Sequence, residues 1–116
     1  MSVKVELPQL LEVASGFGTT PMLLTVDDDG RPRASTASVV WDGEVATVRA
    51  GRRSVANAAA RSLVSLLWPA PPGDRFALLV DGVVEATQPD ADPKDGGFVT
   101  VRATNGILHV VDRSAH

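Results

Sequence analysis

The sequence predicts a mainly β domain, an antiparallel barrel or sandwich with two short helices. About seven runs have strand character, rich in apolar and β-branched residues. Turn signals such as Asp29-Gly30, Asp42-Gly43 and Asn105-Gly106 separate several of them. Only two segments look helical, whereas a doubly wound parallel sheet needs a helix after nearly every strand.

Residues 7–15 form the first helical segment. Pro8 suits the first turn, Leu7, Leu10, Leu11 and Ala14 recur at helical spacing, and Gly16 and Gly18 end it. Pro21 to Val26 is a strand, and Asp27-Asp28-Asp29-Gly30 turns the chain into a partner strand from Arg31 to Trp41. Asp42-Gly43 supplies a second hairpin turn before the strand Glu44 to Ala50. A second helix is expected from Ser54 to Arg61, with Ser54 as its cap and Ala56, Ala58, Ala59 and Ala60 as strong helix formers. Leu63 to Trp68 returns to strand, and Pro69, Pro71, Pro72 and Gly73 make a stiff loop. Phe76 to Thr87 reads as a long strand able to bend at Asp81-Gly82. A polar excursion follows from Gln88 to Gly97. Phe98 to Ala103 and Ile107 to Asp112 then flank a type I′ hairpin signal at Asn105-Gly106.

The totals narrow the function classes. A chain of 116 residues supplies one core and one domain. Fourteen acidic against 11 basic residues give a net charge of -3, which argues against a broad nucleic-acid footprint but leaves room for a local basic pocket. The absence of cysteine excludes disulfides, thiolate metal sites and a cysteine nucleophile. The first six residues lack the apolar core of a signal peptide, and no apolar run approaches the ~20 residues that span a bilayer. A cytoplasmic location without a membrane partner is therefore expected.

Conventional catalytic groupings are missing. His109 and His116 stand seven apart, and Asp27 to Asp29 lack the spacing of a calcium loop, so no metal site is expected. Ser35, Ser38 and Ser54 sit in no nucleophile-elbow sequence. The carboxylates Asp27 to Asp29, Asp42, Asp90, Asp92 and Asp95 cluster in turns, where solvation explains them.

Two stretches stand apart. Gly51-Arg52-Arg53-Ser54-Val55-Ala56-Asn57 places two guanidinium groups before the expected helix start, whose free N–H groups and dipole suit a phosphate or other dianion. The same residues also suit a solvated loop with an ordinary cap. Arg33-Ala34-Ser35-Thr36-Ala37-Ser38 is a strand of small and polar side chains. It leaves room for a flat ligand against the backbone, with hydroxyls to bond its edge. It equally suits the edge end of a strand or close subunit packing.

The order of these segments from Pro21 to Val84 resembles the pyridoxamine-phosphate oxidase-like flavoproteins, the FMN-binding split-barrel family. The resemblance rests on Leu23 to Arg33 as the first hairpin, the small-residue strand, the Gly51-Arg52-Arg53-Ser54 loop, and Val64 to Trp68 as the next strand. It implies a six- to seven-stranded antiparallel split β-barrel that pairs as a homodimer, with FMN at the subunit interface. Arg53 falls on the family's phosphate-binding arginine, and Ser54 stands where a lysine is usual, with Arg52 as its replacement. Asn57 matches a polar position of the short helix. Thr47 and Val48 fall on the strand facing the flavin, and Arg33, Ala34, Ser35 and Thr36 on the strand along the isoalloxazine ring. The dimer would bury Trp41, Trp68 and apolar strand faces, which a monomeric core also explains.

The resemblance thus implies a flavin-dependent oxidoreductase or redox carrier acting on a small molecule. The C-terminal end lacks the arginine-rich substrate motif of true pyridoxamine-phosphate oxidases, so vitamin B6 oxidation is not expected. No side chain is assigned as a catalytic acid or base. The alternatives are a deazaflavin-dependent reductase of the same fold and a cofactor-free split-barrel binding module, the latter suggested by the missing lysine at Ser54.

Overall fold

Period-two alternation and one amphipathic helix determine how this chain folds. The computed structural model describes residues 2–111, so Asp112, placed at the end of the last strand, and His116 lie outside the described residues. Strand β1 (Ser2–Val5) leads into helix α1 (Leu7–Ser15), which buries Leu10 and Ala14 as the spacing predicts. Strand β1 was not expected from the sequence. It is a short edge strand whose Val5 alone is buried, so it carries little of the apolar signal that marks a strand.

The chain continues through β2 (Met22–Val26), β3 (Pro32–Thr36), β4 (Ser38–Asp42) and β5 (Val45–Ala50) to helix α2 (Arg52–Ala60). Strands β6 (Leu63–Trp68), β7 (Phe76–Pro89) and β8 (Gly97–Val110) complete the fold, with a single 3-10 turn at Pro93–Asp95 before β8. The strand order is β3-β2-β6-β7-β8-β5-β4, and every neighbour is antiparallel. Strand β8 pairs β7 along its length, while its other edge takes β5 at Gly97 to Arg102 and β1 at Gly106 to His109. The sheet curls into the expected split half-barrel, with eight strands among the described residues rather than six or seven.

Two expectations about strands are corrected. Arg31 to Trp41 is not one strand. It breaks at Ala37 into β3, which pairs β2, and β4, which pairs β5, so the two segments end opposite edges of the sheet order. The curl brings those edges back together. The buried Ala37 donates its N–H to Pro21 O at 2.9 Å, and Val39 N–H donates to Thr19 O at 2.8 Å. A small side chain at that corner lets the chain change partners without a steric cost.

Nor is there a hairpin at Asn105-Gly106. A type I′ turn needs positive φ at both central residues. Neither has it, and both lie within β8, where Asn105 pairs Asp81 and Gly106 pairs Val80. Gly106 is there for space. A Cβ at that position would stand 3.1 Å from Leu10 Cδ1 and 3.4 Å from Val5 Cβ, so the glycine lets α1 and β1 close on the sheet. Strand β7 does bend where expected, with ladder shifts at Asp81/Gly82 and Val84/Ala86.

The core fills the concave face with Leu23, Val48, Leu66, Trp68, Leu78 and Val99, sealed by Leu10 of α1 and Val55 of α2. Trp68 is buried within the single chain, donating Nε1–H to Gly18 O at 2.9 Å and stacking on the half-buried Trp41 with centroids 6.3 Å apart. The monomeric core therefore accounts for Trp68 without a dimer.

Candidate functional site

Helix α2 begins two residues earlier than the alanine-rich pattern suggests. Gly51 is its N-cap, with φ -73° and ψ 170°, and Val55 N–H closes the first turn on Gly51 O at 3.0 Å. Ser54 is therefore not the cap. It lies in the first turn, is buried, and shares a 2.6 Å hydrogen bond with Ser35 Oγ of β3. The hydroxyl joins helix to strand rather than sealing the helix end.

Arg52 and Arg53 consequently ride on the first turn itself. That turn has neither a side-chain cap nor an acidic residue, so its free N–H groups and its dipole end add to the two guanidinium charges. Both arginines are exposed and line an open cleft of about 490 Å³ with Asp27, Asp28, Asp29, Ala56 and Asn57.

Each carboxylate of that cleft has an arginine partner. Asp27, whose side chain is 13% exposed, accepts from Arg33 Nε through Oδ2 and from Asn57 Nδ2 through Oδ1 at 2.8 Å. Buried Asn57 also donates to Thr25 Oγ1 at 3.2 Å. Arg53 reaches Asp27 Oδ2 only at 3.8 Å, and its side chain is 66% exposed. Arg61 bridges Val26 O and Asp28 Oδ1, both at 2.8 Å, and Arg31 stands 3.5 Å from Asp29. The Arg33 hydrogen bond, then that of Asn57, holds the Asp27 carboxyl below its ordinary value, and Asp27 in turn raises Arg33.

The residues singled out from the sequence divide into two groups. Arg33, Ser35, Arg52, Arg53, Ser54 and Asn57 come together where β3 meets α2. Ala34 is exposed on β3 opposite Leu24. Thr36 opens on an adjoining groove of about 370 Å³, shared with Ser38, Arg49, Gly51 and Asp95. Thr47 lies in a separate groove of about 440 Å³ with Thr87, Gln88, Phe98 and Thr100, and Val48 is fully buried in the core.

The sequence marks Asp27 only as a turn residue, and two-residue alternation from Thr25 is the signal that could have found it. Thr25 pairs with Arg33, so two-residue periodicity places Asp27 on the same face as both. Among the described residues no group of three or more His, Cys, Asp or Glu is arranged to hold a metal. His109 lies on β8, 3.2 Å from Ser2 Oγ. No helix among those residues is long and apolar enough to cross a membrane.

No protein-family model matches the chain. An uncharacterized protein of Mycobacterium bovis is 37% identical over 118 residues, covering 91% of this chain and 80% of that protein. A counterpart from Mycobacterium tuberculosis matches to the same extent. Among solved structures, an F420 reductase superposes with a TM-score of 0.64 at 26% identity, covering 76% of this chain and 88% of that one. HutZ, the heme storage protein of Vibrio cholerae, gives 0.61 at 20% identity over 91% of this chain and 95% of its own. A Listeria innocua protein named for pyridoxamine 5′-phosphate oxidase gives 0.61 at 17% identity over 89% and 98%. These last two share the fold.

Proposed function

We propose that this chain, which belongs to the pyridoxamine-phosphate oxidase-like split-barrel family, binds FMN and serves as a flavin-dependent oxidoreductase or redox carrier. The observation that carries the reading is the start of α2. Two exposed arginines share an uncapped first turn that opens on a cleft, directly beside a strand of small residues.

The residues fit the phosphate end of such a cofactor. Asp27, Asp28 and Asp29 are each paired with an arginine other than Arg52, and Arg52 makes no ion pair among the described residues. Arg52 and Arg53 supply the charge, and the first-turn N–H groups supply donors. Arg52 thus stands in for the lysine that Ser54 replaces. Ser35, Thr36 and the backbone beside Gly51 offer the ring a wall of small side chains. Ser35 already shares its hydroxyl with Ser54, so its role is packing and position.

A second copy of the chain completes the pocket. Thr47 opens on its own groove, next to Phe98, which is 41% exposed. In this reading it contributes to a flavin across a homodimer interface. A bound flavin supplies hydride or electron transfer, and the protein orients it and controls access for a small-molecule substrate.

A deazaflavin is the second reading, favoured by the 26% identity to an F420 reductase. The test titrates the purified protein with FMN and, separately, with F420, following fluorescence and the melting temperature, since a ligand of the folded state must raise it. FMN binding that weakens about tenfold or more in Arg53→Ala is the expected result. Binding of F420 alone would replace FMN by the deazaflavin. Binding of neither would overturn the reading in favour of a cofactor-free module.

A further inference from the structure

We propose that Arg33 acts on the bound anion through Asp27: it occupies that carboxylate, so that Arg53 stays available to the phosphate. This rests on the reading of the Arg52–Arg53 cleft given above. Resemblance would put Arg33 along the flavin ring, whereas its guanidinium is engaged by Asp27.

The geometry is a competition for one carboxylate. Asn57 takes Oδ1 at 2.8 Å, and Arg33 takes Oδ2 through Nε. Arg53 approaches that same Oδ2 but stops at 3.8 Å, beyond hydrogen-bonding distance, with most of its side chain in solvent. Each oxygen already has a closer donor, and Arg53 stands at ion-pair distance only.

Asn57 makes Asp27 a fixed obstacle rather than a mobile one. Its amide is buried in α2 and anchored to Thr25 of β2, which ties the carboxylate to the wall of the cleft. An anion in the cleft therefore sits near a carboxylate that is always present. Without Arg33, that charge would repel the phosphate, and its free oxygen would draw Arg53 into direct contact. Two effects then act in the same direction, and both are removed by neutralising Asp27. Arg33 is thus a positioning residue with a charge-screening role.

The prediction is a thermodynamic cycle in the intact 116-residue chain. FMN is titrated into the unaltered protein, Arg33→Ala, Asp27→Asn and Arg33→Ala/Asp27→Asn, with riboflavin, which lacks the phosphate, as the control ligand. Melting curves establish that each variant is folded. Arg33→Ala should weaken FMN about tenfold, the order of effect of an uncompensated charge near a protein surface, and leave riboflavin unchanged. Adding Asp27→Asn should restore FMN affinity, and Asp27→Asn alone should bind FMN at least as well as the unaltered protein. A double variant as weak as Arg33→Ala would overturn the inference, because Arg33 would then touch the ligand itself. So would FMN binding indifferent to Arg33→Ala. If the unaltered protein binds no FMN, the reading of the cleft fails and the inference with it. Binding that is lost in Arg53→Ala but insensitive to Arg33 overturns the inference alone.

Discussion

Two arginine–aspartate clusters in this molecule use the same chemistry to opposite ends. At the cleft, one carboxylate is surrounded by donors: Arg33 and Asn57 hydrogen-bond Asp27, and Arg53 stands beyond hydrogen-bonding distance at 3.8 Å. At the base of β8, one guanidinium is surrounded by acceptors. Arg49 grips both oxygens of Asp90, reaches Asp95 O at 3.3 Å, and lies over the Phe98 ring with its carbon 4.9 Å from the centroid. The second cluster uses up its cation and fastens the loop after β7 to β5. The first leaves a cation to spare. A surplus of donors, rather than the mere presence of arginine, distinguishes a candidate binding site from a structural staple.

The contrast is sharpest if the staple is broken at its closest backbone approach. Gly96 has φ +93°, and a Cβ there would stand 2.2 Å from Ala50 O, immediately before the start of α2. Gly96→Val should cost about 3 kcal/mol, measured by urea denaturation, from backbone strain plus a clash that only backbone movement relieves. Native-like stability in that variant would show that the loop is not stapled as described.

A smaller effect separates the two clusters by function. Asp90→Ala should lower the melting temperature by a few degrees and leave FMN affinity unchanged, since Asp95 O and Phe98 still hold Arg49. Arg53→Ala should do the reverse, because its side chain is 66% exposed and supports little structure. Equal losses of affinity in the two variants would erase the distinction.

The smallest effect is common to both. Hydrogen bonds from Arg33 and Arg49 hold the Asp27 and Asp90 carboxyls below their ordinary value of 3.8. A group whose folded pKa is depressed contributes stability above its unfolded pKa and loses it as pH falls through the folded value. The contribution of these two pairs should therefore be constant above about pH 5 and decline below about pH 4. Denaturation across that window should give a shallower acid limb in Asp27→Asn and in Asp90→Asn. Unchanged acid limbs would show that neither pair is formed in solution.

Much of this architecture is visible in local sequence. The spacing of Leu7, Leu10 and Ala14 specifies α1, and the turns at Asp27 to Gly30 and Asp42-Gly43 specify the hairpins. Arg52 and Arg53 stand out in the sequence as a cationic pair beside a helix start, and both line a cleft. The function of individual small residues was less legible. Asn105-Gly106 carries a strong hairpin signal, yet its glycine serves the packing of Leu10, nearly a hundred residues away in sequence. Ser54 has the chemistry of a cap, yet its hydroxyl is taken by Ser35 from another strand.

By itself, then, the sequence determined the periodic elements, most of the turns, and a cationic stretch at a helix start. These follow from interactions among residues a few positions apart, which backbone sterics and side-chain spacing settle locally. The tertiary structure alone decided where Arg31 to Trp41 breaks, why Gly106 is a glycine, and which arginine Asp27 holds. Each of those is a choice among several chemically adequate partners, made when the curled sheet brings distant groups within hydrogen-bonding reach and leaves others just outside it.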